Sequence, residues 1–437
     1  MLLLVVWVCA RPLTACAAEE EGTKRVAIIP FALPMPSPER EWLSEGLPHV
    51  VALRLQQLGR VRVAVLPPPD DAGTRSSRQH PDSGDIAPFL ERVRAQGYDV
   101  VLFGHFQQID TTLRLESNLW GTRPERHMGK IIDQSPERDP DALGAKLATS
   151  VATMLQLAGS DMERRRLEER FTTSAEALER FARALVLTES PGGGEEIAQA
   201  VTLLTEAYTL DGKFSMARRH LADLHLRHEQ YASAVEAYQS LLNLVRRDPR
   251  IFRSLGTAYF AQGDTQRAID VFRRGIQIDP RDAQLHLNLG LAYAAARDYE
   301  RATRALLRTL EFAPDDPLAF ANLGVVYLLQ GNFAAATSSL RRAQVLQGSD
   351  ARLSYNLGLA LLFERAYEPA RAQFEQALQE KPDFAAAAYQ LAMLYERIDA
   401  REAVERWKQY LELARKVPGE EAWIPLAQEH LKDLQRP

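Results

Sequence analysis

The tripeptide Asn-Leu-Gly begins at Asn288, Asn322 and Asn356, each 34 residues after the one before. A single globular core mixes distant segments and leaves no period, so a fixed interval of this length means tandem copies of one supersecondary unit. With Leu-Gly placed at positions seven and eight, position twenty is Ala200, Ala234, Ala268, Ala302, Ala336 and Ala370, six alanines without a slip. Position eleven is Tyr259, Tyr293 and Tyr327, and position 24 is Tyr238, Phe272, Leu306, Leu340 and Phe374. Proline closes three units at Pro280, Pro314 and Pro382, where it ends a helix and redirects the chain.

These positions fit a pair of antiparallel helices. The glycine and the alanine are expected where the two backbones approach closest, and the residues at eleven and 24 are expected to fill the space between one hairpin and the next. A hairpin cannot cover its own apolar face, which is why such units occur in tandem. The register is cleanest over 249–282, 283–316, 317–350 and 351–384. Weaker units flank it. The unit 215–248 has His225 in place of the tyrosine, and 181–214 inserts Pro191-Gly192-Gly193-Gly194 between its helices. The unit 385–417 places Ala403 one residue early. Beyond Pro418-Gly419, residues 418–437 read as an amphipathic helix that caps the open end.

The pattern resembles the tetratricopeptide repeat family, and this resemblance implies an all-α superhelix of about seven repeats over 181–417. It also implies that the first helices line a concave face, with positions two, five, six, nine, twelve and thirteen pointing into it. Asn288, Asn322 and Asn356 stand at position six. An amide offers donor and acceptor together, so a ladder of them suits an extended peptide backbone. Position five is Arg219 and Arg253 in the early repeats, and position nine becomes Leu291, Val325 and Leu359. The expected groove therefore starts basic and turns apolar, matching a peptide with an acidic end and an aliphatic body.

The remaining composition narrows the function. With 53 basic and 58 acidic residues among 437, no global charge favours nucleic acid. Cys9 and Cys16 are the two cysteines, so the body of the chain has no disulfide framework, thiolate metal site or cysteine nucleophile. The start, "MLLLVVWVCARPLTACAAEEE", is too short in its apolar run to span a bilayer but suits a secretory signal over 1–17. Leu13-Thr14-Ala15-Cys16 resembles a lipobox, which implies lipidation at Cys16. Simple cleavage and lipidation both stay open, and either places the protein in the periplasm or anchored on its side of a bacterial membrane.

Between the leader and the repeats, "KRVAIIPF", "VRVAVL", "YDVVLFGHFQQI", "TLRLESNLW" and "GKIID" read as strands. Helices are expected over 41–58, 85–96 and 141–157, giving an α/β or α+β domain with a polar loop at Pro67–Gly84. Its order and the stretches 25–31, 42–58 and 98–106 resemble the TolB amino-terminal-like domain, related to FlgO and CsgG types, over 22–158. That resemblance implies assembly or recognition rather than catalysis. Residues 159–180 read as a charged helical connector without a core of its own.

No catalytic, cofactor or metal constellation emerges. His220, His225 and His228 share one helix without a third ligand at compelling spacing. The Gly192–Gly194 loop lacks the Gly-Lys-Ser/Thr that would contact phosphate, and Arg164-Arg165-Arg166 is followed by Glu168 and Glu169 as on a solvated helix face. The expectation is a non-catalytic scaffold that binds a protein or peptide partner. Its competitor is an oligomeric envelope platform that self-associates through the first domain. An enzyme would require a site in the amino-terminal domain that no motif supplies.

Overall fold

The computed structural model describes residues 23–33, 40–67, 87–189 and 193–435. The leader, Cys16 and most of the Pro67–Gly84 loop lie outside the described residues. Two compact units divide between Arg246 and Arg247.

The first unit opens with a five-stranded sheet. Strands β1 (Lys24–Ile28), β2 (Val61–Val65), β3 (Val100–Ile109), β4 (Thr112–Thr122) and β5 (Glu125–Pro136) lie in the order β2-β1-β3-β4-β5. The pairs β1–β2 and β1–β3 are parallel and need crossovers, which α1 (Glu41–Gln56) and α2 (Ala87–Ala95) supply. From β3 onward the pairing is antiparallel through tight hairpins. Side chains alternate between faces, so Val26 and Ile28 meet α1 and α3 (Pro140–Met154), while Ala27, Ile29, Val101 and Phe103 meet Leu90 and Val93 of α2.

The stretch after α3 is not the coreless connector its charge suggests. Helix α4 (Asp161–Glu168) starts at a capping box between Ser160 and Glu163 and buries Leu167 completely. Its tail is held by Arg54 on α1, which is fully buried. One guanidinium nitrogen donates to the carbonyls of Leu167 at 2.9 Å and Glu169 at 2.6 Å, and another meets Asp141 Oδ1 at 2.6 Å. The same cation lies 3.8 Å from the centre of the Phe171 ring. Asp141 Oδ2 accepts from the Phe171 amide at 2.9 Å, closing the network. Burial pushes the Arg54 guanidinium below its ordinary pKa, and Asp141 works against that shift.

Helix α5 (Ala175–Glu189) then packs on α1, so closely that a Cβ on Gly46 would sit 2.7 Å from that of Ala182. Helices α6 (Gly194–Leu210), α7 (Ser215–Arg227) and α8 (Tyr231–Leu244) follow in the same unit. One continuous apolar core runs from the sheet to Leu224, so the first hairpins are built onto the α/β layer. The second unit holds α9 (Pro249–Ala261), α10 (Thr265–Ile278), α11 (Ala283–Ala295), α12 (Tyr299–Phe312), α13 (Pro317–Gln330), α14 (Phe333–Gln347), α15 (Ala351–Phe363), α16 (Tyr367–Glu380), α17 (Ala385–Ile398) and α18 (Ala400–Ala414).

Most of the second unit's helices start at a side-chain cap. Asp248, Asp264, Asp282, Asp298, Asp316, Asn332, Asp350 and Asp399 each accept a backbone N–H of the following turn, worth about 1 kcal/mol apiece. The repeat with the early Ala403 is accommodated by its turn. Asp399 alone ends α17 and caps α18, and Ala403 is fully buried. Helix α19 (Ile424–Leu434) covers the end. Its His430 stacks on the buried Trp407 at 5.0 Å and lies 2.9 Å from Glu396, which also accepts from Trp407 Nε1 at 2.8 Å.

The glycine at position eight serves a different contact from the one expected. It meets the position-24 side chain of its own hairpin rather than only the opposing backbone. A Cβ would fall 2.4 Å from the Phe272 ring at Gly256, 2.8 Å from Leu306 at Gly290, 2.5 Å from Leu340 at Gly324 and 2.7 Å from Phe374 at Gly358. Position 24 therefore fills its own hairpin and not only the gap to the next.

Gly324→Ala is predicted to destabilise by about 1–3 kcal/mol through overpacking, partly offset by the roughly 1 kcal/mol helix preference of alanine. In urea denaturation, Leu340→Val should relieve the cost in the double variant; strict additivity would contradict the contact. Arg54→Met is predicted to cost about 3–5 kcal/mol because it strands Asp141 without its partner, and Arg54→Met with Asp141→Leu should recover much of that loss.

Candidate binding wall of the repeat stack

The amide ladder does not face water. Asn288, Asn322 and Asn356 are 4%, 2% and 0% exposed, and the apolar residues expected beside them are also buried: Leu291, Val325 and Leu359 at 4%, 1% and 1%. In this structure these residues are covered rather than open to water. The physical reason lies in the helices that carry them. Helix α13 buries Ala319, Ala321, Asn322, Leu323, Gly324, Val325, Val326 and Leu328, and α11 and α15 do the same around their circumferences. A helix that is apolar all round is a buried helix.

Burial leaves the amides half used. Asn322 Nδ2 donates to the Leu318 carbonyl at 2.8 Å, but the side-chain oxygens of Asn288 and Asn322 have no donor among the described residues. A buried acceptor without a donor costs about 1–3 kcal/mol. The sequence reading missed a fourth member of the series. Gln390, 34 residues after Asn356, is 3% exposed, and its side-chain oxygen also lacks a donor. The 34-residue period alone places it in the series. Tyr355 at position five is buried beside this row, and burial pushes its phenol well above the ordinary range.

The basic mouth is largely neutralised. Arg219 lies 3.8 Å from Asp223 in the first unit, and in the second Arg253 lies 3.7 Å from Asp282 while Arg250 pairs with Asp248 at 2.9 Å. Both Arg219 and Arg253 remain partly exposed, unlike the residues of the middle repeats.

Other candidates are occupied locally. His220 packs edge-on against Phe181 at 5.2 Å, and His225 Nδ1 hydrogen-bonds Gln230 at 2.6 Å. No group of three potential metal ligands comes together among the described residues. Pro191 and Gly192 lie outside them, whereas Gly193 caps α6. A cleft of about 400 Å³ on the first unit is lined by Asp133, Lys146, Ser150, Glu168 and Arg170 among others. Burial raises the Asp133 carboxyl, and the Ser150 hydroxyl at 3.4 Å partly opposes this.

Residues 172–424, more than half of the chain, match the family model described as Cilia and flagella-associated protein 70 C-terminal domain, a tetratricopeptide-repeat model. The chain belongs to this family. Among solved structures, this tetratricopeptide-repeat protein is similar to one from Parabacteroides merdae (15% identity, 60% of this chain and 99% of that one, TM-score 0.45). It is also similar to pilF of Pseudomonas aeruginosa (21% identity, 49% and 96%, TM-score 0.44). A third is YrrB, described as having an unusual peptide-binding site (20% identity, 45% and 99%, TM-score 0.39). No curated protein matches the chain. No catalytic family is indicated, and among the described residues no helix is long and apolar enough to cross a membrane.

Because the Asn288 oxygen is buried without a donor, Asn288→Leu is predicted to leave the melting temperature of the free protein unchanged or to raise it, by the equivalent of about 1 kcal/mol. A fall of several degrees in differential scanning calorimetry would show that the amide is already satisfied.

Proposed function

We propose that this protein is an exported bacterial scaffold whose repeats 283–384 hold a segment of a partner protein along the inner side of α11, α13 and α15. Tetratricopeptide repeats are protein-interaction scaffolds. The observation that supports this use of these repeats is the pair of buried, donorless oxygens on Asn288 and Asn322 among apolar neighbours. In a low-dielectric setting such an acceptor binds a peptide N–H more strongly than it would in water. The amides thus cost stability in the free protein and return it when a partner supplies the donor, as functional sites commonly do. Leu291, Val325 and Leu359 give the same segment an aliphatic lining, and Arg253 stands toward the early repeats of the same unit for its acidic end.

Export rests on the apolar leader with its small-residue cleavage region, with lipidation at Cys16 as a further step. The sheet of the first unit, whose sequence resembles the TolB amino-terminal-like domain, is read as the surface that docks a second envelope component or another copy of this chain.

The test replaces Asn288, Asn322 and Asn356 together with leucine, which keeps the branching and the number of side-chain heavy atoms and removes the polar ones. Crosslinking in the native cell followed by mass spectrometry identifies the segment attached within 249–384. The triple variant is expected to keep its helicity and melting temperature and to lose at least tenfold in affinity for that segment. Unchanged affinity contradicts the assignment.

A further inference from the structure

Strand β5 is paired on one side only, with β4, and forms an outer edge of the sheet among the described residues. A sheet edge presents a row of unpaired N–H and C=O groups, which is a template for a further strand. The regular part of this edge is bounded at both ends. Its register with β4 skips Met128, which bulges out between His127, opposite Trp120, and Gly129, opposite Leu119. At the other end Pro136 has no N–H to donate. Between these limits Gly129–Ser135 is an unbroken run in which every residue carries an N–H, and its middle residue is Ile132. Ile132 is 50% exposed, with the exposed polar residues Lys130 and Gln134 on either side of it along the same face.

We propose that Gly129–Ser135 pairs antiparallel with the same run of a second copy of this chain, about a twofold axis at Ile132, so that two five-stranded sheets become one. This rests on the reading of the first unit's sheet as a surface that docks another copy, and it names the edge and the register. A twofold axis normal to the sheet keeps each side chain on its own face, so the axis must pass through a residue position. With Ile132 on the axis, Gly129 stands opposite Ser135 of the second copy, Lys130 opposite Gln134, Ile131 opposite Asp133, and Ile132 opposite itself. The whole run between bulge and proline is then paired. Neighbouring centres are worse. Lys130 on the axis sets two cations directly opposite each other and Asp133 sets two carboxylates, and like charges so placed destabilise a sheet. Ile131 on the axis draws the Met128 bulge into the ladder opposite Gln134, and Gln134 on the axis sets Ile132 against Pro136. Only the Ile132 centre buries the exposed isoleucine against its own kind, a β-branched cross-strand pair that also leaves water.

The helix side of the edge has room for the second copy. The cleft beside Asp133 is lined on α3 by Ala142, Ala145, Thr149 and Ser150, all small residues. Lys146 of α3 donates to the Gln134 carbonyl at 2.7 Å, and the second lone pair of that oxygen remains for a strand N–H.

For the test, Cys9 and Cys16 are replaced by serine, so that one introduced cysteine reports contact. Residues directly opposite in an antiparallel pair have Cα atoms about 4.5–5.5 Å apart, within reach of a disulfide. Under mild oxidation of the otherwise intact chain, Ile132→Cys is expected to form a disulfide dimer at least tenfold faster than Lys130→Cys or Gln134→Cys alone. An equal mixture of the Lys130→Cys and Gln134→Cys chains is expected to crosslink one to the other. Equal rates for the three single variants overturn the pairing. Sedimentation equilibrium gives an independent measurement that needs no cysteine. The parent chain is expected to be a dimer, and Ile132→Asp, a change at a solvated position, a monomer of unchanged helicity. A monomeric parent overturns the proposal and leaves the sheet to a second envelope component; a dimer that survives Ile132→Asp overturns it by placing self-association on another surface. Partner capture by the repeats is a separate readout, and Ile132→Asp is expected to leave affinity for the crosslinked partner segment unchanged.

Discussion

The second unit depends on one recurring contact: the absent Cβ of the glycine at position eight against the bulky side chain at position 24. Gly256 with Phe272, Gly290 with Leu306, Gly324 with Leu340 and Gly358 with Phe374 hold the two helices of each hairpin at a separation that no larger residue permits. Because the same spacing recurs, successive hairpins stack on one another, and the first helices α11, α13 and α15 are buried around their circumferences. The polar side chains at position six are then carried into that apolar surrounding by geometry, not by any local preference of asparagine.

The first unit is organised by a different interaction. Arg54 is a fully buried cation, and it gathers Asp141, two main-chain carbonyls and the Phe171 ring around itself. Such a network is costly to leave half made, so it specifies where the segment after α4 must lie. That placement brings α5 onto α1 and lets the first two hairpins share a core with the sheet. The charge-rich stretch around Glu163 to Glu169 thus acts as the join of an α/β layer to a helical one.

Much of this was legible in the sequence because repetition amplifies weak signals. The helices of the repeats, the alanines at position twenty and the terminal capping helix follow from a 34-residue period. The strand order was not readable, since buried apolar runs such as "RVAIIPF" do not name their neighbours. The Arg54 clasp was hidden because its partners are 87 to 115 residues away along the chain and two of them are backbone carbonyls. The burial of Asn288, Asn322 and Asn356 was missed for a reason of arithmetic. Position-by-position assignment gave each asparagine a direction, but the apolar content of the whole helix decides whether that direction meets water.

The side-chain oxygens of Asn288 and Asn322 lack a donor among the described residues, and the proposed function requires that they acquire one from the partner. Isotope-edited infrared spectroscopy of side-chain-labelled asparagine, with the Asn288→Leu and Asn322→Leu variants used to assign the bands, reads this directly. The account predicts high-frequency carbonyl bands in the free protein that move to lower frequency when the crosslinked partner segment is added to saturation. Bands already at hydrogen-bonded frequencies in the free protein, or bands that do not move on saturation, would contradict it.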